Sequence, residues 1–275
     1  MFGHFEQRAV EARRAVEERE RQVPLEAVKE LSRTVPGAID ARTAMRVAGR
    51  AVTVIAEVRR STATFADLSG TGDPGVLARF YAAGGAACIC VVTGPTASYG
   101  SLRDLDDVRA AVDLPVLVND IIVTPYQVHE ARAHGADLVA LDARLSPLVL
   151  EALVERTHSL GMTAVIKVRT RREALTAMEL GSLVVAVDAL DLQTLATDRT
   201  RFEQVAEVLS PEVIRIACGG VRTPHDVMDC ARSGADVVVL GEAVMQATDP
   251  QQLVAELVAA GAHPSLLHAV HREAP

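Results

Sequence analysis

The chain reads PVLVNDIIVTPYQVHEARAHGADLVALDA over residues 115–143, and this stretch contains the unit from which the fold is built. It contains an apolar run, then Thr124-Pro125, a mixed polar and apolar segment, Gly135-Ala136 and a second apolar run. A capping side chain before proline favours the start of a helix, and glycine suits the position just after its end. We therefore predict a strand, a helix and a second strand in this stretch.

The same unit recurs along the chain. Further helix starts and helix ends of this kind lie at Asp73-Pro74, Gly85-Ala86, Thr223-Pro224, Gly234-Ala235 and Asp249-Pro250. Gln127 and Asp226 each lie three residues after a cap, and only Gln127 fits the usual capping box. Eight segments rich in β-branched residues predict strands: TVIAEV (53–58), ACICVVT (87–93), PVLVND (115–120), LVALDA (138–143), TAVIKV (163–168), LVVAVDA (183–189), VIRIACGG (213–220) and VVVLGEA (237–243).

Near-continuous apolar strands indicate a parallel sheet that is buried on both faces. Eight such units fit an α/β fold of the (β/α)8 TIM barrel type better than a doubly wound sheet. We predict this barrel over residues 51–275. Residues 1–50 are expected to form an N-terminal helical extension that packs on the barrel, because charged residues dominate from Phe5 to Glu30 and apolar residues recur there at helical spacing.

Composition excludes several classes of protein. The net charge of -8, with both signs interspersed, argues against a nucleic-acid partner. No run approaches the ~18 apolar residues that span a bilayer, and the N-terminus lacks the apolar stretch of a signal peptide, so a cytoplasmic location without membrane contact is predicted. No metal or cofactor is predicted. The four cysteines lack zinc-ribbon spacing and are expected to be buried free thiols: Cys88, Cys90, Cys218 and Cys230.

Two of the 28 lysine and arginine residues are lysines, Lys29 and Lys167. Lys29 lies in the charged N-terminal segment. Lys167 lies at the carboxyl end of the fifth predicted strand, which is the end where TIM barrels carry their functional sites. Because alternate strands contribute to the same layer of a barrel, Glu57, Asn119 and Lys167 are expected to face one region, although each can instead be a solvent-facing residue.

Glycine-rich turns follow the last two predicted strands, at Gly219-Gly220 and at Gly241. Glycine lets a phosphate approach backbone N–H groups, and a following helix N-terminus adds favourable partial charge. The turns after strands 7 and 8 are also where barrels commonly bind phosphate. A small phosphorylated substrate is therefore the expected partner.

Several stretches resemble the indole-3-glycerol phosphate synthase family, and the similarity extends over essentially the whole chain. They include VIAEVRRS (54–61), GDPGVLARFYAAGGAACICVVT (72–93), GGVRTPHDV (219–227) and GADVVVLGEAVM (234–245). The resemblance implies formation of an indole ring from an anthranilate-substituted deoxyribulose phosphate, with loss of carbon dioxide and water. It also implies a strand-3 lysine as general acid, glutamates on strands 1 and 5 for proton transfer, and a strand-1 lysine with the strand 7 and 8 turns for phosphate.

The phosphate-binding positions of the family are partly retained. Arg59 stands where the resemblance implies a lysine, and arginine can bind phosphate as well. Gly220, Gly241 and Glu242 match the phosphate turns. Gly219 lies in Cys218-Gly219-Gly220, where the family has Glu-Ser-Gly, so one hydroxyl donor is missing.

The catalytic positions depart further. Glu57 matches the strand-1 glutamate, but Asn119 replaces the strand-3 lysine, and an amide has no proton to give near neutral pH. Lys167 stands in place of the strand-5 glutamate. Asp188-Ala189-Leu190-Asp191 replaces Asn-Asn-Arg-Asn on strand 6, and Ile121 replaces an aromatic residue of the family.

Three interpretations follow. The first is a diverged enzyme of the family that binds a phosphorylated, sugar-derived carbonyl compound and uses acid-base or Schiff-base chemistry through Lys167, Glu57 and Asp188, with Asn119 beside them. The second is an authentic member with relocated catalytic residues. The third is a non-catalytic binder of phosphate ligands, in which Lys167 forms a buried ion pair with Glu57 or Asp188.

Overall fold

Eight parallel strands close into one barrel in chain order. The structure, a computed structural model, describes residues 4–46, 52–61, 72–94, 100–190 and 196–266. Within these ranges β1 pairs with both β2 and β8, which closes the sheet and confirms the predicted (β/α)8 barrel. The strands are β1 (Thr53–Val58), β2 (Cys88–Val92), β3 (Val116–Asn119), β4 (Leu138–Asp142), β5 (Thr163–Val168), β6 (Val184–Asp188), β7 (Ile214–Cys218) and β8 (Val237–Leu240).

Helices precede the barrel and alternate with its strands. Those before β1 are α1 (His4–Gln22), α2 (Leu25–Thr34) and α3 (Ala41–Met45). Those that follow are α4 (Pro74–Ala83), α5 (Leu102–Ala111), α6 (Pro125–Ala133), α7 (Pro147–Ser159), α8 (Arg171–Glu179), α9 (Arg199–Ala206), α10 (Pro224–Arg232), α11 (Glu242–Met245) and α12 (Pro250–Gly261).

The caps Asp73, Thr223 and Asp249 act as predicted, and each accepts a backbone N–H at the start of its helix. The Gln127 side chain accepts the Thr124 N–H at 3.2 Å. Asp226, which we expected not to fit a capping box, also forms one: its carboxylate accepts the Thr223 N–H at 2.9 Å, and the Thr223 hydroxyl accepts the Asp226 N–H at 3.3 Å. The same carboxylate oxygen also accepts the Arg222 N–H at 3.0 Å.

Side chains alternate between the barrel interior and the surrounding helices. Ile55, Leu117 and Val165 belong to the buried interior cluster, whereas Val54 and Val118 pack outward against the helices. Because side chains of a strand alternate between its two faces, residues two positions further along the same strands also point inward. This period directs the ends of β1, β3 and β5 toward one space at the barrel mouth.

The N-terminal segment forms helices, and its contacts join it to the barrel. Pro24 separates α1 from α2 because proline cannot continue the hydrogen bonding of α1. Arg19 of α1 forms an ion pair with Glu130 of α6 at 2.8 Å. At the other end of the barrel, buried Met45 of α3 joins the interior cluster. The proposed boundary at residue 50 lies outside the described residues.

His129 ties α6 to α2 through a hydrogen bond to Ser32. Its Nδ1 lies 3.2 Å from the Ser32 hydroxyl, which itself donates to the Lys29 carbonyl at 2.7 Å. Nδ1 therefore donates to Ser32. Nε2 is buried without a hydrogen-bond partner in the described part of the chain. Burial, followed by the charges of Arg156, Lys29 and Arg33, lowers the pKa of His129 below its usual value.

Acid is therefore expected to weaken the folded state through His129. Its pKa is lower in the folded protein than in the unfolded chain, so the unfolded chain binds the proton first as pH falls below about 6.5. The stabilisation is complete above that pH and is lost below it. We expect His129→Gln to show a smaller drop in unfolding free energy between pH 7.5 and pH 5.5, measured by urea denaturation. The exposed His158→Gln should keep the full drop, and equal drops in all three proteins would contradict this assignment.

Candidate active site

The inward-facing ends of β1, β3 and β5 meet at the barrel mouth. Glu57 lies two residues beyond the interior residue Ile55, Asn119 two beyond Leu117, and Lys167 two beyond Val165. The structure therefore brings together three of the four predicted catalytic residues. Asp188 of β6 lies at the same end of the barrel but forms separate contacts.

Glu57 is the centre of this group and is only 4% exposed. Its Oε1 accepts a hydrogen bond from Nη1 of Arg59 at 2.9 Å. Its Oε2 accepts from Nδ2 of Asn119 at 3.0 Å and from the Cys90 thiol at 3.5 Å. The carboxylate is thus fixed by donors from three strand ends, which sets its orientation toward the mouth.

Lys167 donates to Asn119 rather than to a carboxylate. Its Nζ lies 3.3 Å from Oδ1 of Asn119, and among the described residues it has no ion pair within 4.0 Å. The predicted alternative of an ion pair with Glu57 or Asp188 is therefore wrong here. The physical reason is that the Asn119 amide lies between the ammonium and the Glu57 carboxylate, with its oxygen toward the cation and its nitrogen toward the anion.

Arg169 engages the carboxylates beside Lys167, and the sequence interpretation did not include it among the site residues. Its guanidinium lies 3.2 Å from Oδ2 of Asp142 and 2.7 Å from Oδ2 of Asp188. Arg144 also bonds both oxygens of Asp142, at 2.9 and 2.8 Å. A signal existed in the sequence, since Arg169 lies two positions after Lys167 and so shares its face of β5.

These arginines change the chemistry of Asp142. Burial raises the pKa of its carboxyl group, but the hydrogen bond from Arg144 and the charges of Arg169 and Arg144 outweigh burial and lower the pKa to about 2. Arg169 responds in the opposite sense: burial lowers its pKa, and the adjacent Asp142 and Asp188 raise it overall. Asp142 and Arg169 therefore both keep their charges throughout the neutral range.

None of the four cysteines forms a disulfide; Cys88 and Cys90 are buried as predicted, whereas Cys218 and Cys230 are half-buried. Desolvation, and then the charge of Asp188, raises the pKa of Cys218 at the end of β7 to about 12. Desolvation and Glu57 also raise the pKa of Cys90 well above its usual value. Both thiols therefore stay protonated near neutral pH, which disfavours them as nucleophiles.

The two glycine turns lie beside these groups. Gly219 and Gly220 have φ angles of 95° and 76°, and a Cβ on Gly220 would come within 2.7 Å of Thr197 Cγ2. A Cβ on Gly241 would meet Oε1 of Glu57 at 3.1 Å and Nη1 of Arg59 at 3.7 Å. The Gly241 turn thus adjoins the Arg59 guanidinium.

Glu242 directs its side chain to another cation. Its Oε1 accepts from Nη2 of Arg222 at 2.9 Å. Asp191, from the altered strand-6 segment, lies outside the described residues.

In the described ranges, no set of three or more His, Cys, Asp and Glu side chains is arranged to hold a metal ion, and no helix is long and apolar enough to cross a membrane.

Comparison with known proteins gives one consistent match in sequence. The family model described as "Indole-3-glycerol phosphate synthase" matches residues 6–257. The chain is 48% identical over 248 residues to the indole-3-glycerol phosphate synthase of Mycolicibacterium vanbaalenii, covering 90% of each chain. It is 49% identical over 249 residues to that of Beutenbergia cavernae, covering 90% of this chain and 92% of the relative.

Solved structures of lower identity share the fold. A thiamine phosphate pyrophosphorylase from Pyrococcus furiosus aligns with a TM-score of 0.60 at 18% identity, over 80% of this chain and 98% of that one. An N-acetylmannosamine-6-phosphate 2-epimerase from Clostridium perfringens aligns with a TM-score of 0.58 at 22% identity, over 73% and 90% of the two chains. At these identities the likeness concerns the barrel alone.

Proposed function

Because the chain belongs to the indole-3-glycerol phosphate synthase family, we propose that it closes an indole ring on an anthranilate-substituted deoxyribulose phosphate, with Lys167 of β5 as the proton donor. The observation that carries this proposal is the 3.3 Å contact between Nζ of Lys167 and Oδ1 of Asn119. The family resemblance implies a lysine acid at position 119. Here an ammonium group reaches the same part of the mouth from β5.

The reaction requires a proton on the substrate carbonyl. The ring carbon that bears the carboxylate attacks the carbonyl carbon, and the Lys167 ammonium protonates the carbonyl oxygen as the bond forms. Loss of carbon dioxide returns the bonding electrons to the ring. A second proton lets the former carbonyl oxygen leave as water, while Glu57 takes a proton from the neighbouring methylene carbon. One substrate and one proton thus give one product, one carbon dioxide and one water.

The remaining mouth residues are proposed to bind and orient the substrate. Arg59 and the backbone N–H groups of Gly219-Gly220 and Gly241-Glu242 are the groups that would hold the phosphate. The Glu242 side chain does not contribute, because a carboxylate repels phosphate and this one is bonded to Arg222. Asp188 is assigned an orienting role, since Arg169 already engages its carboxylate.

A second candidate is the same chemistry on another phosphorylated carbonyl compound. Ile121 and Leu190 supply neither the aromatic contact nor the positive charge that the family resemblance implies for the ring and its carboxylate. On the β6 side of the mouth, Arg169 is already paired with the Asp188 and Asp142 carboxylates and so is not free to bind a carboxylate of the substrate. These observations favour a substrate with less aromatic and less anionic character than an anthranilate derivative.

One assay separates the two candidates. The purified protein is incubated with the anthranilate-substituted deoxyribulose phosphate, and the fluorescent indole product is followed. We expect product above a heat-killed control, and its absence would overturn the first candidate. The variant Asn119→Lys/Lys167→Glu restores the residue types that the resemblance implies for strands 3 and 5. Indole formation by that variant alone would favour the second candidate, because it would show that the remaining mouth still accepts the family substrate.

A further inference from the structure

Arg169, to which the family resemblance gives no role, bridges three neighbouring strand ends. Asp142 is the direct neighbour of Lys167 in the β4–β5 register, and Asp188 lies two residues beyond Ala186, the neighbour of Lys167 on β6. Both carboxylates therefore flank the lysine. Arg169 is 15% exposed in its side chain and contacts both of them.

We propose that Arg169 is a positioning residue that occupies the Asp188 and Asp142 carboxylates, so that the Lys167 amine stays on the Asn119 amide and remains available to the substrate. The functional importance of this role rests on the proposed function of Lys167. The geometric role itself does not, because it concerns only contacts within the barrel mouth.

The two carboxylates differ in their dependence on Arg169. Asp142 keeps both of its contacts with Arg144 if Arg169 is removed. Among the hydrogen bonds described for the Asp188 side chain, only the one from the Leu190 N–H, at 3.1 Å, would remain. Removal of Arg169 is therefore expected to release mainly Asp188, which can then pair with Lys167 across the mouth.

The lysine content of the chain makes a direct test possible. Lys167 and Lys29 are its two lysines, and Lys29 pairs with Glu26 on the exposed surface of α2. Trace acetylation with acetic anhydride, read by peptide mass spectrometry, gives the labelling of Lys167 relative to Lys29 in the same sample. Acetylation requires the free amine, and an adjacent carboxylate favours the ammonium by about tenfold or more.

We expect Arg169→Gln to lower the Lys167 to Lys29 labelling ratio by about fivefold or more, and Arg169→Gln/Asp188→Asn to restore it. Arg169→Lys, which keeps a cation near Asp188, should stay within about twofold of the unmodified protein. Labelling at low temperature in sucrose keeps a weakened variant folded, and circular dichroism checks this.

The direction of the change identifies the role. If Arg169 only supported the local structure, its loss would loosen the mouth and raise the ratio. A raised or unchanged ratio in Arg169→Gln, or a low ratio that persists after Asp188→Asn is added, would overturn the proposal. The measurement needs no substrate, so it can succeed even if the indole assay fails, and the two proposals can be judged separately.

Discussion

Lys167→Met is expected to lower kcat for indole formation by about 10²- to 10⁴-fold, because a positioned general acid typically contributes that much to the rate. The fold should survive, since methionine fills a similar volume and Lys167 forms no ion pair among the described residues. Lys167→Arg should lose most of the rate as well, because a guanidinium does not release its proton near neutral pH. The kcat and KM of each variant are measured by indole fluorescence.

Lys29→Met is the matched control for this experiment. It removes the other lysine, whose ion pair with Glu26 lies on the surface and contributes little to stability, and it should keep the kcat of the unmodified chain. Unchanged kcat in Lys167→Met would exclude Lys167 as the acid. Borohydride reduction in the presence of substrate tests the alternative Schiff base, which would leave a mass adduct on the peptide that carries Lys167. General acid catalysis alone would leave that peptide unmodified.

Asp137→Asn is expected to cause a large loss of stability, about 3 kcal/mol of unfolding free energy. One carboxylate oxygen of Asp137 accepts the Ile39 N–H at 2.8 Å, and the other accepts the Val116 N–H and Nη1 of Arg109, both at 2.9 Å. Arg132 lies 3.8 Å away. An amide has one accepting oxygen, so at least one buried donor would lose its partner and the arginines would lose their counter-charge.

Asp236 offers a matched control from the same sequence pattern. Both residues follow a Gly-Ala pair directly before a strand. Among the contacts described for the Asp236 side chain, the carboxylate accepts only the Arg215 N–H, at 2.8 Å. Burial raises the pKa of Asp236. Asn at this position keeps an oxygen that can accept the Arg215 N–H and carries no buried charge. Asp236→Asn should therefore change the free energy of unfolding by no more than about 1 kcal/mol. Equal losses in the two variants, measured by urea denaturation, would contradict the assigned role of Asp137.

Most of the fold could be predicted because its signals are local. Caps such as Asp73 and strand periods of two residues depend on neighbours in the chain. The inward direction of Glu57, Asn119 and Lys167 follows from that period together with barrel closure. What could not be predicted was the partner of each side chain. Lys167 was expected to be able to pair with Glu57 or Asp188, and the structure places the Asn119 amide in contact with it instead.

The family assignment rests on nearly the whole chain, with 48% identity over 248 residues to one relative. The indole assay and the variants of Lys167 test the few residues that are proposed to take part in the reaction. Activity on the family substrate would show that a catalytic lysine can be supplied from β5 instead of β3.

The barrel and the inward direction of Glu57, Asn119 and Lys167 could be predicted from short-range periodicity and from the topology of parallel strands. Tertiary structure alone decided which of these residues meet. Asp137 and Asp236 share one local pattern, yet Ile39 from the N-terminal segment, which is distant in sequence, is brought to Asp137. Arg169 likewise acquires its partners from β4 and β6. Such contacts depend on three-dimensional distance and competition between charges, which no local pattern records.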